Sequence, residues 1–149
     1  MKNKIKKLVI KIEACGFYPF ESGRIISREI TITNDGNVAI AGTIEEGKDR
    51  LSSKIVTARE VENVGEVITA KILKRAKKVL LKHLEEGDNP PFLIADCALD
   101  VIKIWYEDGT KVVGWLKQLT YELDDVMNFY DYISEKLCIY PGLMSLLEG

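Results

Sequence analysis

The chain has 149 residues, of which 46% are hydrophobic and 30% charged, with 11 Gly and 4 Pro. These proportions exclude a disordered, collagen-like or low-complexity chain. The length suits a single domain, 1–149, able to bury roughly 70% of the surface its unfolded form exposes, and a formal net charge of -2 gives no overall attraction for polyanions.

Taken in chain order, Leu8, Ile10, Ile12 and Ala14 alternate with Val9, Lys11, Glu13 and Cys15. A period of two describes a strand with one apolar face. Gly16 to Gly23 reads as a loop whose aromatics, Phe17, Tyr18 and Phe20, fold back on the core. Ile25–Thr33 and Val38–Ile44 read as strands around Asn34-Asp35-Gly36-Asn37, a hairpin signal because the turn needs positive φ. Residues 45–53 read as a polar, mobile connection.

Thr57-Ala58-Arg59-Glu60 has capping-box spacing. Val61, Val64, Ile68, Ile72, Ala76, Val79, Leu80 and His83 then recur at threes and fours. Together they predict one long amphipathic helix over 58–86, bent at Gly65, capped by Gly87 and stopped by Pro90-Pro91. Phe92–Tyr106 and Lys111–Leu119 read as strands around Glu107-Asp108-Gly109-Thr110. With Asp108-Gly109 as a two-residue loop, Ile102 would oppose Trp115 and Ile104 Val113 on one face. Trp105 would oppose Val112 and Val101 Leu116 on the other, so both faces are partly apolar. Thr120 is placed to cap a final helix with an apolar stripe of Leu123, Val126, Met127, Tyr130, Ile133 and Leu137. Glu122, Asp124 and Asp125 suit its positive dipole end, Tyr140-Pro141-Gly142 ends it, and Leu143–Leu147 forms a docked apolar tail. The expected fold is α+β, a five-stranded, mainly antiparallel sheet in the order strand-strand-strand-helix-strand-strand-helix, with both helices packed on one face.

Ile32-Thr33-Asn34-Asp35-Gly36, Tyr106-Glu107-Asp108-Gly109-Thr110-Lys111 and Gly114-Trp115, set among these elements, resemble small uncharacterised bacterial ββαββα proteins, some of them toxin-immunity-like. The resemblance implies a binding role and carries over no catalytic residues.

Cysteines stand at 15, 97 and 138, an odd number without CxxC, which reads as reduced thiols in a cytoplasmic protein; Cys15 and Cys97 fall in predicted strands. The basic start, Met1 to Lys7, is not followed by the apolar stretch of a signal peptide, because Lys11 and Glu13 interrupt it. No window reaches the ~20 apolar residues of a membrane helix. His83 is the single histidine, so no metal cluster is expected, and no glycine-rich phosphate loop occurs. Neither a cofactor nor a catalytic constellation is expected. Asp96 and Asp100 lie in an apolar run roughly 13 Å apart along a strand, too far for a shared proton. Asp100 is expected to pair with Lys117 across the hairpin.

Charge is unevenly distributed. Residues 1–83 carry 17 Lys/Arg against 10 Asp/Glu, and residues 84–149 carry 4 against 13. Two surfaces follow. Asp124, Asp125, Asp131 and Glu135 with Trp105 form a candidate protein-binding set. Lys71, Lys74, Arg75, Lys78 and Lys82 recur along the long helix as a candidate anion-binding stripe, without the interleaved aromatics that nucleic-acid modules use. The sequence therefore favours a non-enzymatic protein-binding domain, with a protein partner or a homodimer as the occupant and no membrane. A nucleic-acid or phosphate module is the alternative.

Overall fold

The computed structural model describes residues 3–13, 21–49, 51–88 and 99–148. Among these residues, seven strands, not five, make one antiparallel sheet, and three helices, not two, accompany it. The strands are β1 (Ile5–Glu13), β2 (Arg24–Thr33), β3 (Asn37–Glu46), β4 (Lys54–Asn63), β5 (Leu84–Glu86), β6 (Val101–Tyr106) and β7 (Lys111–Leu116). The helices are α1 (Glu66–Leu80), α2 (Asp124–Leu137) and α3 (Pro141–Leu147). The spatial order is β4-β3-β2-β1-β6-β7-β5, so β1 lies at the centre and joins the two hairpin systems. This arrangement departs from the ββαββα order, since four strands precede α1.

The first extra strand comes from the segment expected to begin a helix. β3 and β4 pair along their whole length, from Asn37 opposite Asn63 to Glu46 opposite Lys54. Ile55, Val56, Thr57 and Val61 are β-branched, which suits a pleated strand and costs rotamer freedom in a helix. The polar connection thus shrinks to the tip of a hairpin. Gly65, at φ 94, is the break between β4 and α1, not a bend inside one helix. α1 ends at Leu80, and His83 closes a 3-10 turn, Leu81–His83. The second extra strand, β5, follows at once and pairs with β7. Gly87 therefore caps nothing; it lies under the Trp115 ring, which would stand 2.5 Å from any Cβ there. Of the strand expected over Phe92–Tyr106, residues 92–98 lie outside the described residues, 99–100 are not strand, and β6 covers Val101–Tyr106. Asp96, Cys97, Cys15 and the aromatics of the first loop lie outside the described residues.

Both Asp-Gly turns exist, with loops of three residues instead of two. Gly36 N–H donates to Thr33 O at 3.3 Å and Gly109 N–H to Tyr106 O at 3.1 Å. Both glycines have positive φ, 98 and 89. This is a type I turn followed by a left-handed residue, the usual three-residue hairpin. Asp35 Oδ1 accepts from Thr33 Oγ1 and Asn37 N, and Asp108 Oδ1 from Thr110 N and Oγ1. These bonds hold both carboxyls below the ordinary aspartate pKa. The longer loop moves the β6–β7 register by one residue. Ile102 opposes Gly114, Ile104 opposes Val112 and Val101 opposes Trp115. Trp115 consequently joins Val101 on the face away from the helices, and Gly114 takes the inner position.

One face of the sheet carries the core. Leu8, Ile10, Ile30, Ile32, Ile40, Ile102 and Ile104 are fully or almost fully buried there. They meet Ile72, Ala76 and Leu80 of α1, Val126, Phe129, Ile133 and Leu137 of α2, and Leu143 and Leu146 of α3. Each such aliphatic side chain contributes about 1.5–3 kcal/mol by leaving water. The stripe of α2 turns on Phe129; Met127 faces solvent. α3, the docked tail, sits where Gly42 leaves room: a Cβ there would lie 3.2 Å from Leu146 Cδ2. Arg28 Nε donates to Leu146 O at 2.7 Å and satisfies a carbonyl at the helix end.

Replacing Gly109 by Val should destabilise the protein by about 1–3 kcal/mol, because a β-branched residue tolerates positive φ poorly. Asp108→Asn should be nearly neutral, since Asn can accept the same bonds from Thr110. Thermal melts of both variants check this; a Gly109→Val melting temperature equal to that of the parent would refute the turn.

Candidate functional site

The structure separates the acidic set that the sequence grouped together. α2 turns Val126, Phe129, Ile133 and Leu137 inward. The 3.6-residue period therefore sends Asp124, Met127, Asn128, Asp131 and Glu135 outward. From Asp124 to Glu135 this outer face is about 16 Å long at 1.5 Å per residue. Asp124, Asp131 and Glu135 have no ion-pair partner among the described residues. Tyr121, in the 3-10 turn Thr120–Glu122 before α2, is 70% exposed, and Met127 is 40% exposed.

Asp125 is different. His83 Nε2 lies 3.0 Å from both of its carboxylate oxygens, and Lys82 Nζ lies 3.2 Å from Oδ2. The bond to His83, with help from Lys82, holds the Asp125 carboxyl below its ordinary pKa. Asp125 thus clips α2 to the end of α1 and offers no free charge to a partner. His83 is not on an apolar stripe; it serves this clip.

Trp105 does not join the α2 surface either. It lies on the sheet face turned away from the helices, in a row with Lys7 of β1 and Lys111 of β7. Both ammonium groups stand 4.8 Å from its ring. Cations from the strands on either side already occupy the electron-rich ring, so a base or a partner aromatic would have to displace them.

The basic stripe is likewise partly consumed. Arg75 stacks 4.1 Å over Tyr132 of α2, and Lys82 pairs with Asp125. Lys82 also falls beyond α1, in the 3-10 turn. Lys71, Lys74 and Lys78 remain outward over about 10 Å. Lys74 lines a cleft of about 720 Å³ with Lys4 and Lys77, but Asp35, Glu66 and Glu107 line it too. Three cations against three carboxylates give no net field for phosphate.

Sequence reasoning missed a buried polar cluster. Asp100 is 6% exposed and does not reach across to Lys117. Thr120 Oγ1 and Tyr130 Oη both donate to its Oδ2, the latter at 2.7 Å. Its own carbonyl accepts from Leu116 N at 2.9 Å. Burial raises the Asp100 carboxyl above its ordinary pKa, although the two hydrogen bonds oppose the rise. Burial, and then the charge of Asp100, raise the Tyr130 phenol well above its ordinary value. Thr120, expected as a helix cap, spends its hydroxyl here instead. The cluster ties the start of β6 to α2. An Asp inside an apolar run was the available signal; its partners, 20 and 30 residues on, were not readable from spacing.

Comparison of the chain with protein-family models, with curated proteins and with solved structures returns no match. Among the described residues, no helix is long and apolar enough to cross a membrane.

Asp100→Asn tests the cluster. Because the folded-state pKa is raised, Asp100 costs stability once pH climbs past its ordinary value of 3.8. Asn keeps an acceptor for Thr120 and Tyr130 without the buried charge. The variant should melt above the parent at pH 7, and the gain should vanish below pH 3.8, where Asp100 is protonated. A lower melting temperature at pH 7 would show that the ionised form is favoured in the fold.

Proposed function

We propose that this chain is a non-enzymatic protein-binding domain, of the immunity or inhibitor kind that its turn motifs resemble, and that it holds a basic protein partner on the outer face of α2. The observation that carries this reading is the contrast within α2. Asp125 is paired with Lys82 and bonded to His83, while Asp124, Asp131 and Glu135 stay outward without a cation among the described residues. Tyr121 and Met127 are exposed beside them, and an aromatic and a methionine are side chains enriched at interfaces. A carboxylate field of this kind speeds the approach of a basic protein, and the apolar groups supply area to desolvate on contact.

The test is an affinity capture from source-cell lysate with three baits: the parent, the triple variant Asp124→Asn, Asp131→Asn, Glu135→Gln, and Asp125→Asn. The parent and Asp125→Asn should retain the same basic protein, and the triple variant should lose it. With that protein purified, association to the triple variant should be at least about tenfold slower at low salt, and the difference should shrink as salt rises. The same capture by the parent and the triple variant would overturn the assignment.

A further inference from the structure

The sheet has two unequal edges. β5 offers three residues, whereas β4 offers ten, Lys54–Asn63, paired to β3 without a bulge and containing no proline. By contrast, the β1–β6 and β2–β3 ladders each contain a register shift. Every second N–H and C=O of β4 points away from β3, and no backbone partner takes them among the described residues. Ile55 and Val61, on the face away from the helices, are 57% and 49% exposed. A long, straight edge with exposed β-branched residues is a template for another strand.

The side chains of β4 select the partner. In an antiparallel pair, opposed residues point to the same face. If β4 meets itself about a two-fold axis, opposed residue numbers must therefore add to an even sum. With Ala58 on the axis, Lys54 opposes Glu62 of the second copy and Ile55 opposes Val61, each pair occurring twice. Thr57 opposes Arg59 and Val56 opposes Glu60. Moving the register by two residues in one direction puts Arg59 opposite Arg59. Moving it by four puts Glu60 opposite Glu60. Moving it by two the other way keeps a Lys54–Glu60 pair but shortens the overlap to 54–60, leaves Glu62 outside it and sets Ile55 against Arg59. The register centred on Ala58 is thus the one that matches opposite charges while pairing nine residues and setting Ile55 against Val61.

We propose that β4 pairs antiparallel with β4 of a second copy, with Ala58 on the two-fold axis, so that two seven-stranded sheets become one continuous sheet. The proposal does not depend on the α2 face.

Sedimentation velocity over a dilution series tests it, on the full chain. The parent should show a reversible monomer–dimer equilibrium. Lys54→Glu and Glu62→Lys each turn two attractive pairs into two repulsive ones, and each should weaken the dimer at least about tenfold. The double swap, Lys54→Glu with Glu62→Lys, restores both pairs and should bring the dissociation constant back to within about threefold of the parent. Both side chains are exposed, and far-ultraviolet circular dichroism should show unchanged folding in all three variants. A parent that is monomeric throughout the series, a dimer indifferent to the single changes, or a double variant as weak as the singles would overturn the proposal.

Discussion

The left-handed backbone at Gly36 and Gly109 sets the register of the sheet, and the rest of the structure depends on that register. Side chains alternate between faces along a strand, so a slip of one residue exchanges every inner position for an outer one. With three-residue loops, Ile30 and Ile32 meet Ile40 and Val38 on the helix face. Ile102 and Ile104 meet Gly114 and Val112 there. β1 then reads both hairpins at once, because Leu8 and Ile10 lie between Ile32 and Ile30 on one side and Ile104 and Ile102 on the other. A single apolar layer runs across five strands because each loop brings its return strand back in the register that puts Val38 and Ile40 of β3, and Val112 and Leu116 of β7, on the helix face. Gly114 also explains why β5 can exist: Glu85 O would lie 2.1 Å from a Cβ at that position, so a larger residue would push β5 away.

That layer needs a lid, and the three helices share the task. α1 and α2 also bind each other through polar contacts at their edges, Arg75 over Tyr132 and Lys82 with His83 on Asp125. Part of the charge division between the two halves of the chain is therefore intramolecular. The basic half lends cations to the acidic half where α1 ends against the start of α2. Among the described residues the two helices still carry separate outward sets: Lys71, Lys74 and Lys78 on α1, and Asp124, Asp131 and Glu135 on α2.

The elements with strong local signals were legible in the sequence. β1, β2, β3 and the turn glycines follow from alternation and from Asp-Gly, and α2 follows from its apolar period. The helix expected over 58–86 shows where local evidence fails. Thr57 to Glu60 satisfies capping-box spacing, and Val61 and Val64 satisfy a helical period. Yet the same stretch is rich in β-branched residues, and only the presence of β3 as a pairing partner decides between the two. Such a contact, across a turn and along ten residues, is invisible to a window of local periodicity. The one-residue error in β6–β7 has a different origin, since Asp-Gly fits both a two-residue and a three-residue loop. The candidate site was legible as composition and not as geometry. Asp125, Asp131 and Trp105 were all visible as residues, but which of them face outward depends on how α2 rotates and on which side of the sheet Trp105 falls.

The rotation of α2 is fixed from two directions. Its apolar stripe sets the inner face, and Asp100 holds it through Tyr130 while His83 and Lys82 hold it through Asp125. The stripe alone would allow some roll about the helix axis, because an apolar face is non-directional. The hydrogen bonds remove that freedom, since they require donors and acceptors at defined positions. The outward placement of Asp124, Asp131 and Glu135 is thus a consequence of groups buried or paired elsewhere. Those three side chains themselves support little of the fold, so they can be exchanged at small cost to stability while changing the surface that a partner meets. Tyr130 lacks that freedom: losing its hydroxyl would change the binding face indirectly, by loosening the helix that carries it, whereas Asp125→Asn still offers an oxygen to His83 and Lys82.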